Sequence, residues 1–419
     1  MFFHLKQWGR RSFCAAAVIM IIALTCSCAE EDFTRVPIPE LPEQFPKLDE
    51  HPVTADYNRG IYPGMPVYDP ASDEMWQVDL RDYDLSSLDL RASGDALAFA
   101  SFDDRTVWPD GDMLPDGFDW ELVMELGKSP GLSVRKLHER GLTGRGVGIA
   151  FIDQPLLTEH AEYAERLQLY EAYEQPYGFR ASMHGAAVAS IAAGSTLGVA
   201  PEADLYFITT RLGTRDNSTG AYVRDFTTTA EAIHRVIEIN AQLPEERRIR
   251  VLSLSVGWSP SEPGYEAMEA AVAAARAAGI FVVSSNLRVT HGLHFHGLGR
   301  GIAADPEDPA SYTAGIWWED SIGMIQTGNV LLVPMDSRTT ASPGGADEYV
   351  FYREGGWSWS IPYIAGLYAL AAQVDQGITP DRFWKQALRT GDVLVLERNG
   401  RSVSVGIIVN PVRLLAALD

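Results

Sequence analysis

Beyond residue 28 the 419-residue chain has no cysteine, since Cys14, Cys26 and Cys28 are its only three. A body without cysteine forms no disulfide, offers no thiol nucleophile and cannot build a cysteine-ligated zinc site. Positive charge is scarce as well. Lys and Arg number 34 against 56 Asp and Glu, a formal net charge of −22. Such a chain repels nucleic acid and anionic lipid, so neither is expected as a partner, and the acidity reads as solubility outside a cell. Low-complexity linkers and internal repeats are missing too. What remains is 46% hydrophobic and 21% charged. That supplies a substantial core, and the length suits a large α/β domain with an extension.

The first 27 residues read as a signal peptide. Lys6, Arg10 and Arg11 form a basic start, and Phe13 to Leu24 is a 12-residue apolar stretch. That stretch is short for a bilayer span but suits a signal sequence. It runs through Leu24-Thr25-Cys26-Ser27-Cys28 into Glu30-Glu31-Asp32. Small residues leading into a cysteine resemble the lipobox of bacterial lipoproteins, which implies acylation of Cys28, with Cys26 as the second choice. The chain is then expected on the extracytoplasmic face of the cell membrane, held by a lipid. Ordinary signal cleavage or an uncleaved anchor is the alternative, and Arg10-Arg11 faintly resembles a twin-arginine signal.

Residues 28–111 are rich in Pro, Asp and Tyr and read as an irregular N-terminal extension packed on the body. Leu80, Leu85 and Leu90 recur within it every five residues, too briefly for a solenoid. From 112 to 419 short apolar runs alternate with amphipathic stretches, the pattern of a doubly wound, mostly parallel sheet flanked by helices. The runs 147–152, 205–208, 251–254, 280–284 and 330–333 predict strands. Helices are predicted over 227–242 and 265–278, the second ending at Gly279, and from Thr379-Pro380 to near Gly391. Asn399-Gly400 predicts a hairpin turn.

Three phrases carry chemistry. Asp153 follows the apolar run Val147-Gly-Ile-Ala-Phe-Ile152, which places a carboxylate at the carboxyl end of a buried strand, where α/β sheets open their crevice. His184 opens the Ala-rich stretch Met183-His-Gly-Ala-Ala-Val-Ala-Ser-Ile-Ala-Ala-Gly194, a buried helix. It follows Asp153 by 31 residues, one βα unit. Ser358 lies in Gly355-Gly-Trp-Ser-Trp-Ser-Ile-Pro-Tyr-Ile-Ala-Gly366, at the positive end of a helix. Pro362 fits its first turn, and Gly366 permits a close approach to the sheet. Taken singly, a strand-end aspartate is more often a helix cap or turn residue, and a lone histidine on an apolar helix is usually a core residue.

Together the phrases resemble the aspartate, histidine and serine blocks of subtilisin-like serine peptidases, the subtilase family. The resemblance covers about 300 residues in the order Asp, His, Ser that the family uses. Ser360 competes as nucleophile, but the offsets to Pro362 and Gly366 select Ser358. Gly279-Ile-Phe-Val-Val-Ser-Ser-Asn286 resembles the strand that supplies the oxyanion-hole amide. Leu254-Ser255-Val256-Gly257-Trp258 is similar to the stretch bordering the substrate's P1 residue. The departures are Gln154-Pro155 after the aspartate, Trp357 before the serine and the missing glycine before Asn286.

The resemblance implies an endopeptidase that attacks a peptide carbonyl with Ser358, using His184 as base and Asp153 as its orienter. Asn286 and the Ser358 amide would hold the oxyanion. Substrates are expected to be proteins or peptides, the enzyme a monomer without cofactor. The competing expectation is a degenerate subtilase serving as a surface binding or assembly protein. His291, His294 and His296 form His-x-x-His-x-His, read as a Gly-rich solvated or rim-packing loop rather than a zinc site. The short link Ala193-Gly-Ser-Thr-Leu-Gly198 leaves no room for the family's calcium loop. Trp258 and Trp357 are both expected to narrow the cleft. Nothing in the extension shows the strand and helix pattern of the compact propeptide that subtilases often carry.

Overall fold

The computed structural model describes residues 39–41, 51–57, 59–72, 74–173, 179–215, 222–318, 329–398 and 400–418. The expected signal peptide, Cys26, Cys28 and Asn399 of the expected turn lie outside them.

Five parallel strands form the central sheet, in the spatial order Phe281–Ser284, Ile249–Leu254, Gly148–Asp153, Asp204–Thr209, Leu167–Ala172. Successive side chains leave opposite faces of a strand, and here both faces are covered. Ile149, Phe151, Leu205, Phe207, Val251 and Val283 join one core with the helices Met183–Ala193 and Trp357–Val374. Ala150, Ile152, Tyr206, Ile208 and Leu252 join another with Thr227–Gln242 and Tyr265–Ala277. The fold class is the expected one, a parallel α/β sheet flanked by helices. The apolar helices Met183–Ala193 and Trp357–Val374 are buried nearly all round, whereas the amphipathic pair exposes its polar face.

Four of the five expected strands lie in this sheet, while Val330–Pro334 does not. It pairs in parallel with His294–Arg300 and with Arg401–Ile408, in a second, mixed five-stranded sheet. An apolar run identifies a buried strand without naming its neighbour, so the sequence pattern could not place it. The serine helix Trp357–Val374 packs on strands of both sheets. The predicted hairpin forms between Asp392–Arg398 and Arg401–Ile408, with Arg398 opposite Arg401 and Gly400 at φ +71°. The predicted cap is also present, because the Thr379 hydroxyl accepts from the Arg382 amide ahead of Pro380–Thr390.

The stretch read as irregular contributes regular structure. Ala100–Asp103 and Val78–Asp79 are half of a four-stranded sheet completed by Arg338–Ala341 and Tyr349–Tyr352. Leu80, Leu85 and Leu90 are fully buried with Val123, Met124 and Phe351. Two- to four-residue strands carry too little alternation to be seen in sequence.

Candidate active site

Asp153 ends the central strand Gly148–Asp153, and its carboxylate is buried. Its Oδ1 accepts from His184 Nδ1 at 2.6 Å and from the Gln154 amide at 2.7 Å. His184 is the second residue of its helix, whose cap Ser182 accepts from the His184 amide. Burial opposes charging of the imidazole, but the charge and hydrogen bond of Asp153 outweigh it, so the His184 pKa is raised. With Nδ1 occupied by the carboxylate, Nε2 is the nitrogen left for proton transfer.

Gln154-Pro155, the departure after the aspartate, is built into this geometry. The Pro155 carbonyl accepts from the Ser182 amide at 2.8 Å, and the Ser182 hydroxyl also bonds the Gln154 side chain. The strand end thereby docks on the start of the histidine helix. A Cβ at position 185 would lie 2.2 Å from the Gln154 carbonyl oxygen, which accounts for Gly185.

Ser358 is the second residue of the serine helix. Gly356 before it has φ +63° and ψ 178°, a backbone region open in practice only to glycine. Pro362 sits in the second turn of the helix, not the first as expected. Its missing N–H leaves the Ser358 carbonyl without an intrahelical donor, and the Ser255 hydroxyl supplies one at 3.1 Å. In return Ser358 Oγ points at the Ser255 carbonyl, 3.5 Å away, and has no hydrogen bond to His184 among the described residues. Ser360 is fully buried, which removes it as a competitor. Gly366 proves to be a contact with the histidine helix rather than the sheet. A Cβ there would lie 2.6 Å from Val199 Cβ and 2.9 Å from the Ala192 carbonyl oxygen.

Asn286 follows Phe281–Ser284 and caps a short helix, Leu287–His291. Its Nδ2 donates to the Trp258 carbonyl at 2.7 Å, and its Oδ1 lies over Gly257 so closely that a Cβ there would be 2.9 Å away. The Ser285 amide bonds the Val256 carbonyl. Ser255, Val256 and Gly257 therefore run between Ser358 and Asn286, so the structure brings all of the expected residues of the body to one edge.

Two expectations are corrected here. Trp258 does not line the cleft: it is buried against Phe226, with its indole N–H on Glu269 at 2.7 Å. The three histidines are not on a loop. His291 ends the short helix, facing Phe281, while His294 and His296 lie on the strand His294–Arg300. Gly297 and Gly299 disguised the alternation of that strand. No group of three potential metal ligands occurs among the described residues. The tight link after the histidine helix is closed by Glu162, whose carboxylate accepts from the Thr196 amide and hydroxyl.

Sequence reasoning missed Trp359 and Asp336. Trp359 is buried and meets the His184 ring edge-on, 5.7 Å between centroids. Asp336 is a buried carboxylate that accepts from the Gly355 amide at 3.0 Å and from the Ile316 amide at 2.9 Å. Burial pushes its pKa up to about 6, against the Arg353 charge and those two bonds. The signal for Trp359 was its place beside Ser358, and Asp336 left none.

The subtilase family model matches residues 144–333, just under half of the chain. The match contains Asp153, His184, Ser255–Gly257 and Asn286 and stops short of Ser358. Among solved structures, the chain is similar to the prenylagaramide maturation protease PagA at 15% identity and a TM-score of 0.47, over 68% of this chain and 98% of that one. It is also similar to a cold-adapted subtilisin-like serine proteinase at 19% identity and a TM-score of 0.42, over 64% and 89% of the two chains. No curated protein sequence matches it.

Proposed function

We propose that the chain is a serine endopeptidase of the subtilase type, hydrolysing peptide bonds through an acyl-enzyme at Ser358. The observation that carries the reading is the Asp153–His184 hydrogen bond of 2.6 Å at the carboxyl edge of the parallel sheet, with Ser358 at the head of the central helix. In this reading His184 Nε2 takes the Ser358 proton as Oγ attacks the substrate carbonyl. His184 then delivers that proton to the leaving amine, while Asp153 stabilises the imidazolium. The Asn286 amide and the Ser358 backbone N–H would hold the oxyanion once substrate occupies the edge. No metal enters these steps.

A fluorophosphonate probe tests this directly. It should label Ser358 in the mature protein, and Ser358→Ala should remove both labelling and turnover, by roughly 10⁶-fold. Labelling of Ser360 in that variant would overturn the assignment. The second reading, a catalytically silent surface protein, is favoured by the engagement of Ser358 Oγ with Ser255 and of Asn286 with Trp258. Folded mature protein that never labels would establish it.

The anchor belongs to the same proposal: a monomer held on the extracytoplasmic face by acylated Cys28. No helix among the described residues is long and apolar enough to cross a membrane. A fatty-acid analogue should tag the protein, and Cys28→Ala should lose the tag. Loss in Cys26→Ala alone would move the anchor to that residue.

A further inference from the structure

The amino ends of the central strands carry a second concave site. A cavity of about 560 Å³ opens there. It is bounded by Arg250 at the start of Ile249–Leu254, by Ile280 ahead of Phe281–Ser284, and by Arg276 at the end of the helix Tyr265–Ala277. Ile378, Thr379 and Pro380, which lead into the helix Pro380–Thr390, also line it. Ser255 and Asn286 follow the carboxyl ends of the same two strands, so the cavity and the candidate active site lie at opposite ends of the sheet.

Its charge is unlike that of the chain. Arg250 and Arg276 both belong to the lining, against one carboxylate among the described residues, Asp381, which is exposed. The two guanidiniums are oriented by backbone carbonyls: Arg276 Nη1 donates to Thr290 at 2.6 Å, and Arg250 Nη2 to Ile378 at 3.5 Å. The Tyr368 hydroxyl, from the serine helix, donates to the same Ile378 carbonyl at 2.9 Å and is also bonded to Arg250. Neither arginine has a carboxylate partner among the described residues. A guanidinium carries five N–H donors, so most of them remain uncommitted.

His291 lines the cavity as well. Burial and the Arg276 charge push its pKa down to about 4, so at neutral pH the two arginines are the cations of the site. Its Nε2 is buried without a partner among the described residues, which leaves an unmet polar atom beside the cavity. The remaining walls are mostly apolar, with Ala273, Ala277 and Ile280 on one element pair and Ile378 and Pro380 on another. The first turn of Pro380–Thr390 adds the partial positive charge of a helix start, which Asp381 offsets in part. A guanidinium fork matches a carboxylate through two parallel hydrogen bonds. Ligand sites of about 300–1,000 Å³ combine apolar walls with a few convergent polar groups in this way.

We infer that this cavity is a binding site for a small carboxylate with an apolar body, its charge held by Arg250 and Arg276 and its body lying against Ala273, Ala277 and Ile280. A free aryl or alkyl acid presents that chemistry, and so does the carboxyl end of a peptide with an apolar last residue.

Calorimetric titration of the mature protein with 4-phenylbutyrate tests the site. One acid should bind per chain. The amide 4-phenylbutyramide, of the same shape without the charge, should bind at least about tenfold more weakly, the worth of one charged hydrogen bond. Arg250→Gln and Arg276→Gln should each weaken the acid by a similar factor. Ala273 is exposed, so Ala273→Glu sets an opposing charge on the wall without disturbing the core, and should abolish binding in a chain of unchanged Tm. N-acetyl-phenylalanine separates the two sources: binding tighter than that of 4-phenylbutyrate assigns a peptide terminus, and weaker binding a free acid. Failure of both acids to saturate by about 10 mM, weak for ligands of this size, would overturn the inference. A Kd unchanged in Ala273→Glu and in both arginine variants would do the same. Binding is read without turnover, so this result is independent of the peptidase reading. Fluorophosphonate treatment should leave the Kd unchanged, whereas binding lost on labelling would place the acid in the active-site cleft and overturn the assignment.

Discussion

The two halves of the candidate site are in different states. The acid–base half is assembled, with Asp153 and His184 joined at 2.6 Å and the helix start docked on Gln154-Pro155. The half with the proposed nucleophile and oxyanion donor is placed but engaged elsewhere: Ser358 Oγ faces the Ser255 carbonyl and Asn286 Nδ2 holds the Trp258 carbonyl. Both acceptors belong to the single segment 255–258, which a substrate backbone would be expected to pair with. The difference teaches that a strand-end carboxylate and a helix-start imidazole are pre-organised once the strand end docks on the helix start. Ser358 and Asn286 instead satisfy their polar groups on carbonyls of that segment, because an unmet polar group at a part-buried edge costs free energy.

The comparison is broken most severely by removing the assembled half. Asp153→Asn should lower kcat by on the order of 10⁴, since the wrong imidazole tautomer then faces Ser358. Steady-state kinetics with a labelled titre of active sites would measure it, and a loss under tenfold would mean that Asp153 does not orient His184. The other half is probed by Asn286→Ala, expected to cost on the order of 10²–10³ in kcat with KM little changed. If Asn286 stays bonded to Trp258 throughout turnover, kcat will not move, and the oxyanion must be held by other donors.

The next effect is one of pH. His184 must be neutral to act as base, and its pKa is raised by Asp153 against the opposing effect of burial. The acidic limb of kcat/KM should therefore fall above the ordinary histidine value of about 6.5. A limb below that value would contradict the coupling.

The smallest effect concerns Asp336, which holds Gly355 ahead of Ser358. Its folded pKa, pushed up to about 6 by burial, lies above the ordinary carboxylate value of about 4. The folded chain thus keeps a proton that the unfolded chain releases in that window. The stabilisation is fully present below the ordinary value and is lost as pH rises through about 6. Asp336→Asn should flatten that part of the Tm profile between pH 4 and 7 relative to wild type. Identical profiles would show that Asp336 is ionised throughout.

Much of this was legible in the residues themselves. Strand and helix periodicity predicted four of the central strands and the helices that cover them, because burial on both faces leaves near-continuous apolar runs. The block around Asp153 and the Gly-rich entry to Ser358 placed the first at a strand end and the second at a helix start, where both are found. Partners distant in sequence were not legible. Val330–Pro334 announces a strand, but its neighbours His294–Arg300 and Arg401–Ile408 are set by long-range pairing. Trp258 was expected in the cleft and lies in the core, because ring burial against Phe226 and a hydrogen bond to Glu269 satisfy it better than an exposed edge. The extension read as irregular since strands of two to four residues carry almost no pattern, and only pairing, of Val78–Asp79 with Ala100–Asp103 and of the latter with Tyr349–Tyr352, makes them strands. The sequence by itself determined which side chains are chemically capable and which segments are buried, both local properties of the chain. The tertiary structure alone decided what each of those side chains is bonded to, because hydrogen-bond partners and sheet neighbours are settled by long-range packing that no local window contains.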